Sequence, residues 1–397
     1  MKKFHKIASL ALALVMASMC FTACGDTTQE GESGTIKIGG IGPLTGGTQI
    51  YGNAVKNGAE IAVEEINAKG GLQFELKFED DENDPEKATN AYNTLKDWGM
   101  QISLGAVTTQ PCIAVSSLTN EDHMFALTPS GSSTDIIGGQ PDADGNVTIP
   151  RKDNMFQMCF TDPNQGTKAA EYINQQKLGS KIAIIYDMSD AYSSGIYEKF
   201  AKEAENQPFE IVAAEAFTAD NKTDFSVQLQ KAKDAGADMV FLPIYYQESA
   251  LILTQAAAMG YAPKWFSCDG MDGILGGVDN FDVSLTEGVM LLTPFAADAT
   301  DDLTQSFVTK YKEKYGDTPN QFAADSYDAI YVIKAAIEKS GVTPDMSVSD
   351  ICDGMKAAMT EITVDGLTGN GMTWTADGEA NKAPKAVVIE NGAYKAM

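Results

Sequence analysis

The feature that most constrains this 397-residue chain is a regular alternation of short apolar segments with longer amphipathic ones. Residues 35–41 (TIKIGGI) and 181–186 (KIAIIY) are typical of buried strands. Between them, residues 51–68 place their apolar side chains on one face at helical spacing, and two glycines follow. Strand–helix alternation with short connections predicts an α/β fold, in which helices cover both faces of parallel sheets.

The same rhythm continues along the chain. Further strands are expected at 74–78, 102–107, 125–127, 209–214, 238–243 and 264–267, and helices after Pro85, near Pro111, and at 193–206, 225–235, 247–259, 303–315 and 323–340. The length suggests two domains, and the elements divide into two βαβ-rich halves near residue 158.

The N-terminus reads as a targeting segment. Three lysines precede an apolar run at 7–19, which is too short to cross a bilayer as a helix. The run ends in FTACG, which resembles a bacterial lipobox and predicts a diacylated Cys24. We therefore expect a lipoprotein signal peptide at 1–23, a polar flexible tether at 24–34, and a protein held on the outer face of the cell membrane. The alternative is ordinary signal-peptide cleavage, in which Cys24 carries no lipid.

Composition excludes several classes of function. A net charge of −26 argues against nucleic acid as a partner. His5 and His123 are the two histidines, so His-dependent catalysis and His-rich metal sites are disfavoured. Four cysteines beyond the leader lack metal or redox spacing and are expected to be small buried apolar residues, while pairing between any of them stays open: Cys112, Cys159, Cys268 and Cys352. No catalytic motif, cofactor fingerprint or metal site is expected.

Loops at the carboxyl ends of strands are the expected ligand sites in such sheets. Thr108 and Thr109 follow one strand, and the hydroxyl-rich turn 128–133 follows the next; both suit a carboxylate, although either could simply cap a helix. In the second half, three residues follow strands and supply phenol rings and a carboxylate: Tyr192, Tyr245 and Asp269. An ordinary turn remains an open interpretation for Asp269.

The order and spacing of several segments resemble one known family. These segments are IGPLTGGTQIYGNAVKNGAEIAVEEINAKGG (41–71), FEDDENDPEKA (78–88), TTQPCIAVS (108–116), LTPSGSS (127–133), TDPNQG (161–166), IAIIYDMSDAYSSG (182–195) and DFSVQLQKAK (224–233). Together they resemble the leucine/isoleucine/valine-binding proteins, which are type I periplasmic solute-binding proteins of ABC importers. The likeness covers nearly the whole chain after the leader.

The resemblance implies a type I periplasmic-binding-protein fold, in which two parallel-sheet α/β lobes are joined by a three-strand hinge and close over a free amino acid. The implied lobes are 35–158 with 292–368, and 159–291 with 369–397. Thr108, Thr109 and the turn Ser130, Gly131, Ser132 would hold the α-carboxylate. Tyr192 and Asp269, with Asp162 as a weaker candidate, would meet the α-ammonium. The side-chain pocket would be lined by Tyr51, Val107, Tyr245 and Tyr327.

Two departures from the family bear on the ligand. The family has Glu where this chain has Asp269, and other members carry a disulfide at the positions of Asn83 and Val107. We expect a monomeric receptor that delivers an amino acid to a membrane-embedded ABC permease, and we expect that amino acid to be a branched-chain one. Three alternatives remain: a same-fold receptor for an aromatic amino acid, a short amide or urea; a sensory module, disfavoured because no transmembrane or signalling segment precedes Met397; and a surface hydrolase.

Overall fold

The computed structural model describes residues 34–141 and 145–397. The predicted signal peptide at 1–23, and Cys24 with residues 25–33 of the tether, lie outside the described residues. Within those that are described, no helix combines the length and apolar character needed to span a bilayer.

The first half of the chain forms a five-stranded sheet in which every neighbouring pair is parallel. Its strands are β1 (Thr35–Gly42), β2 (Gln73–Asp80), β3 (Ile102–Ser103), β4 (Ala126–Thr128) and β5 (Met155–Gln157), in the order β2-β1-β3-β4-β5. The intervening helices are α1 (Gln49–Ala68), α2 (Pro85–Trp98) and α3 (Thr109–Glu121). Parallel pairing requires these helical crossovers between the strands.

The second half forms a seven-stranded sheet of order β12-β11-β10-β9-β8-β6-β7. Its strands are β6 (Lys181–Asp187), β7 (Glu210–Phe217), β8 (Met239–Leu242), β9 (Lys264–Ser267), β10 (Met290–Thr293), β11 (Lys385–Glu390) and β12 (Ala393–Ala396). Its helices are α4 (Asp162–Gln175), α5 (Ala191–Ala204), α6 (Ser226–Asp234) and α7 (Tyr246–Ala258), with a short 3₁₀ turn at Asp269–Met271. Strands β6 to β10 pair in parallel, and β10, β11 and β12 pair antiparallel.

Three later helices return to the neighbourhood of the first sheet: α8 (Asp302–Tyr315), α9 (Gln321–Ser340) and α10 (Val348–Met359). Helix α9 packs along α1, and a glycine permits the close approach, because a Cβ atom on Gly58 would lie 2.0 Å from the carbonyl oxygen of Ala323. Among the described residues, the chain thus crosses from the elements around one sheet to those around the other at three places, near 158–161, 294–301 and 360–384.

The expected strand at 102–107 is shorter in the structure than the sequence suggests. Gly105 has a φ of +66°, which ends the extended conformation, and a Cβ atom there would lie 2.9 Å from Thr128. The antiparallel strands β11 and β12 are a second difference from the all-parallel prediction. The expected lobe boundary at residue 291 falls inside β10, which pairs with β9.

Buried apolar side chains connect the two sheets. One continuous cluster includes Ile38 from β1, Val240 from β8 and Tyr51 from α1. The four cysteines expected to be buried are so in the structure, and none of them forms a disulfide: Cys112, Cys159, Cys268 and Cys352. The residues from Thr35 to Met397 form one compact unit.

Candidate functional site

The two sheets share a strand order that places their loops at one cleft. In the first sheet β1 lies between β2 and β3, and in the second β6 lies between β7 and β8. Sheets of this order bind ligands in the crevice at the carboxyl ends of the strands. The loops after β3, β4, β8 and β9, together with the starts of α1, α5 and α9, line a cavity there. Its lining residues are Tyr51, Val107, Thr108, Thr109, Ser130, Ser132, Tyr192, Tyr245, Asp269, Gly270 and Phe322.

Hydroxyl groups and a helix N-terminus form one side of the cavity. The Thr108 hydroxyl donates to Asn83 Oδ1 at 2.6 Å, and the Ser130 hydroxyl donates to the Val107 carbonyl at 2.7 Å. Both hydroxyl protons are therefore occupied by protein acceptors. Helix α3 starts at Thr109, and its first N–H groups have no partner within the helix and carry the positive end of its dipole. These amides, with the Thr109 and Ser132 hydroxyls, are suited to an anion.

Hydrogen bonds to Thr128 and Gln157 fix the turn after β4. The Gly131 N–H donates to Thr128 Oγ1 at 2.9 Å, and the Gly131 carbonyl accepts from Gln157 Nε2 at 2.8 Å. A Cβ atom at Gly131 would lie 2.9 Å from Cys112 Sγ, so the packing requires a glycine here. Gly131 was expected among the ligand-binding residues; in the structure it shapes the turn, and its neighbours Ser130 and Ser132 line the cavity.

A buried carboxylate lies on the opposite side. The Tyr192 hydroxyl donates to Asp269 Oδ1 at 2.7 Å and accepts from the Gly270 N–H at 2.8 Å. Burial raises the pKa of Asp269 to about 7, although hydrogen bonding to Tyr192 and to Gln165 lowers it. Burial also raises the pKa of Tyr192 well above its ordinary value, so its phenol remains protonated and able to donate.

The cavity contains no basic side chain, since none of its lining residues is Lys or Arg. Asp162 lies nearby, fully buried in the first turn of α4, and its main-chain N–H donates to the Ser132 carbonyl at 3.0 Å. Burial raises the pKa of Asp162 well above its usual range; hydrogen bonding from the Ser132 side chain lowers this pKa, and the nearby Asp269 raises it. Asp162 adjoins the cavity without lining it. A ligand that ionises Asp269 must therefore bring its own positive charge.

Aromatic rings form the apolar wall. Tyr51 packs against Phe322 with ring centroids 4.4 Å apart, and Tyr245 stacks on Tyr192 with centroids 5.0 Å apart. The Tyr51 hydroxyl donates to the Gly270 carbonyl and accepts from the Tyr246 N–H at 3.3 Å. Helices α1 and α9 thereby contact the turns after β8 and β9. The empty space between these rings and the polar side chains, including the part open to solvent, is about 240 Å³.

The structure brings nine of the predicted site residues to this cavity: Tyr51, Val107, Thr108, Thr109, Ser130, Ser132, Tyr192, Tyr245 and Asp269. Tyr327 is placed elsewhere, which corrects the expectation that it lines the pocket. Its hydroxyl donates to Glu65 Oε2 at 2.7 Å, and its ring packs on Phe307. Two lining residues were missed: Gly270, which directly follows Asp269, and Phe322, which no local pattern distinguishes.

Among the described residues, no group of three or more His, Cys, Asp or Glu side chains is arranged to hold a metal ion. The acidic run at 80–84 instead caps main-chain groups. Asp80 Oδ1 accepts from the Leu44 N–H at 2.8 Å, and Asp84 Oδ1 accepts from the Glu86 N–H at 2.8 Å at the start of α2.

Comparisons with known proteins agree with this architecture. The family described as "Periplasmic binding protein" matches residues 35–393. The Leu/Ile/Val-binding protein homolog 3 of Brucella melitensis is 30% identical over 313 residues, covering 78% of this chain and 80% of that protein. The leucine-, isoleucine-, valine-, threonine- and alanine-binding protein of Pseudomonas aeruginosa is 27% identical, covering 77% and 79%.

Solved structures give the same result for the fold. The branched-chain amino acid transporter substrate-binding protein of Streptococcus pneumoniae, solved with isoleucine, has a TM-score of 0.79 at 25% identity, covering 91% of this chain and 98% of that one. The leucine-binding protein of Thermotoga maritima has a TM-score of 0.78 at 25% identity, covering 91% and 97%. The predicted type I periplasmic-binding-protein fold is confirmed. This chain belongs to the periplasmic binding protein family, whose members are extracytoplasmic solute-binding proteins of ABC transporters and not enzymes.

Proposed function

We propose that this protein captures a free amino acid in the cavity between its two sheets and delivers it to an ABC permease. Branched-chain amino acids are the ligands that we propose it prefers. The α-carboxylate would accept hydrogen bonds from the first-turn amides of α3 and from the Thr109 and Ser132 hydroxyls. The α-ammonium would pair with Asp269, and an aliphatic side chain would contact the rings of Tyr51 and Phe322.

One observation carries this proposal: the cavity has opposite polarity on its two sides and no cation of its own. Donors cluster beside Thr109 and Ser132, and a buried acid, Asp269, lies across from them. A zwitterion satisfies both sides at once. An isolated anion would leave the Asp269 side unmatched, since buried charges require a partner. The isoleucine bound to the Streptococcus relative supports the choice of a branched-chain ligand.

Ligand capture would be coupled to closure of two lobes, with the expected boundary at residue 291 moved past the end of β10 (Met290–Thr293): 35–158 with 294–368, and 159–293 with 369–397. The carboxylate-binding residues follow strands of the first sheet, and Asp269 follows a strand of the second. A ligand that bridges them has its full set of contacts only when the lobes are closed, so binding favours the closed state. Contacts from Tyr51 to Gly270 and from Gln321 to Asp269 would form with the same movement.

We also propose that the protein works as a monomer tethered to the membrane through a lipid on Cys24. The lipobox-like FTACG sequence and the polar tether at 24–34 support the lipid anchor. Metabolic labelling with a radioactive fatty acid should mark the wild-type protein. A Cys24→Ala variant should remain unlabelled and leave the membrane fraction.

Isothermal titration calorimetry against a panel of solutes tests the ligand. We expect L-leucine, L-isoleucine and L-valine to bind with micromolar or better affinity, about −8 kcal/mol. L-phenylalanine, acetamide, urea and benzoate should bind at least tenfold more weakly. Tight binding of one of these four solutes, with no response to aliphatic amino acids, would contradict the proposal and favour a same-fold receptor for another solute.

A further inference from the structure

Gln165 lies behind the anionic side of the cavity, in the first turn of α4, and is fully buried. Its Oε1 accepts from the main-chain N–H of Asp269 at 3.3 Å. Its Nε2 makes no hydrogen bond within the described residues. This amide is also close enough to the Asp269 carboxylate to lower the pKa of that group. Gln165 does not line the cavity, so it is placed to act on Asp269 and not on the ligand.

A buried N–H group without a partner is unfavourable, and native proteins rarely retain one without a reason. An ionised carboxylate accepts hydrogen bonds more strongly than a neutral acid. The unpaired amide of Gln165 would therefore gain an acceptor in the state in which Asp269 is charged. That is the state in which Asp269 would pair with an ammonium group.

Other groups around Asp269 act mostly in the opposite direction. Asp162 on α4 and Asp325 on α9 are buried acids that disfavour a further negative charge nearby. Lys382, from the segment before β11, is paired with Asp325, with Nζ 2.5 Å from Oδ1. The other titratable groups facing this region are Tyr192 on α5, Tyr245 after β8, Cys268 at the end of β9 and Cys159 after β5. Besides Tyr192, Gln165 is the uncharged side chain whose hydrogen bonding favours the ionised form of Asp269.

We infer that Gln165 is a positioning residue for Asp269: it fixes the main chain of the acid through Oε1, offers Nε2 to the ionised carboxylate, and so sets the pH range over which the site takes up an amino acid. This inference rests on the proposed function. Gln165 touches neither the ligand space nor a reacting group, and it acts through Asp269 alone.

The test compares the wild-type protein with Gln165→Met, which keeps the volume and removes the amide, and with Gln165→Glu, which adds a negative charge. L-leucine affinity is measured by calorimetry from pH 6 to pH 8.5. If removal of the amide raises the pKa of Asp269 by one unit, Gln165→Met binds about tenfold more weakly than the wild type at pH 6 and less than about twofold more weakly at pH 8.5. Gln165→Glu should shift the profile further in the same direction. Thermal unfolding establishes that both variants fold.

Gln157→Met is the matched control, since Gln157 is also fully buried and supports the opposite side of the cavity through Gly131. Its loss should weaken affinity by the same factor at every pH. If Gln165→Met does the same, or has no effect, the inference is wrong.

A second readout does not require a ligand. Carboxyl ¹³C NMR of aspartate-labelled protein, with Asp269→Asn to identify the signal, should show the Asp269 titration moving to higher pH in Gln165→Met. An unmoved titration overturns the inference. If the titration moves but no amino acid binds to the wild type, the proposed function fails and the role of Gln165 toward Asp269 survives.

Discussion

The carboxylate of Asp269 is surrounded by groups that favour its neutral form, namely apolar walls and the acids Asp162 and Asp325. Tyr192 and Gln165 provide hydrogen bonding that partly offsets this preference. An ammonium group inside the cavity would stabilise the charged form and would itself be stabilised. The residue is therefore placed to distinguish ligands that carry a positive charge from those that do not.

Replacing this acid should cost more than replacing any hydroxyl of the site. We expect Asp269→Asn to weaken amino acid binding by about 2–5 kcal/mol, because the ligand ammonium would be buried without its counter-charge. Calorimetry at pH 8 measures the loss. Asp269→Glu is the matched control, since it restores the residue type found in the family, and it should retain most of the affinity. Equal affinities in wild type and Asp269→Asn would remove Asp269 from the site.

Tyr327 provides the complementary test, because its hydroxyl donates to Glu65 outside the cavity. Tyr327→Phe should leave amino acid affinity unchanged and lower the free energy of unfolding by about 1–3 kcal/mol through loss of a hydrogen bond to a charged group. Chemical denaturation and calorimetry separate the two effects. A large drop in affinity with unchanged stability would return Tyr327 to the ligand pocket.

A hydrogen bond connects the loop after β2 with the loop after β3. The family resemblance implies a disulfide at the positions of Asn83 and Val107 in the classical members, whereas here the Thr108 hydroxyl donates to Asn83 Oδ1 at 2.6 Å. The same two loops, one after β2 and one after β3, are thus connected by a weaker link. The link thus joins Asn83 to Thr108, the residue that directly follows Val107.

At the scale of secondary structure elements, the close contact of α1 with α9 places two parts of the cavity wall, Tyr51 and Phe322, against each other. Gly58 makes this approach possible. Gly58→Ala should lower the free energy of unfolding by about 1–3 kcal/mol or more, because the added methyl group meets main-chain atoms.

Gly276→Ala is the control for this substitution, since a Cβ atom there meets nothing within 4 Å. Equilibrium denaturation of both variants makes the comparison. If the two substitutions have the same effect, close packing between α1 and α9 does not limit stability.

Local patterns predicted most of the elements and much of the site. Strand ends and hydroxyl-rich turns marked Thr108, Ser130 and Asp269 because parallel sheets bring their carboxyl ends to one edge. Position along a helix could not be resolved in the same way. Phe322 and Tyr327 lie five residues apart on α9, a rotation of about 140°, so the two rings face different neighbours. Only the packing of α9 on α1 determines which of them reaches the cavity.

The C-terminal strands were missed for a related reason. Strands β10 and β12 have four residues each, and β11 pairs antiparallel with both of them at the edge of a sheet whose other pairs are parallel. Short edge strands depend on the sheet that they join and carry little periodicity of their own. Tyr394 of β12 nevertheless reaches the region of the site, since its hydroxyl accepts from the Gly273 N–H at 3.1 Å.

For the molecule as a whole, several buried acids titrate well above their ordinary range. Burial raises the pKa of Asp81 and Asp269 to about 7, and those of Asp190, Asp272 and Asp325 to about 6. In the unfolded chain such groups titrate near pH 4. Between about pH 4 and pH 7 the folded protein therefore holds protons that the unfolded chain has lost, and its stability decreases as the pH rises.

The melting temperature of the ligand-free protein should accordingly fall by a few degrees between pH 5 and pH 7.5. The net charge of −26 adds repulsion in the same direction. Asp81→Asn should reduce this fall, because it removes one of the two acids with the highest of these pKa values while keeping Oδ1 as an acceptor for the Asn83 N–H. Differential scanning calorimetry provides the measurement, and a melting temperature that rises across this interval would contradict the assignment.

The absence of Lys and Arg from the cavity lining also has a thermochemical consequence. Because burial raises the pKa of Asp269 to about 7, a zwitterion that pairs with the carboxylate displaces the proton from those receptors in which Asp269 is neutral. The observed heat of binding at pH 7 should then vary linearly with the ionisation enthalpy of the buffer, and this dependence should shrink towards zero at pH 8.5, where Asp269 has already lost its proton. Each act of capture would slightly acidify the space outside the membrane.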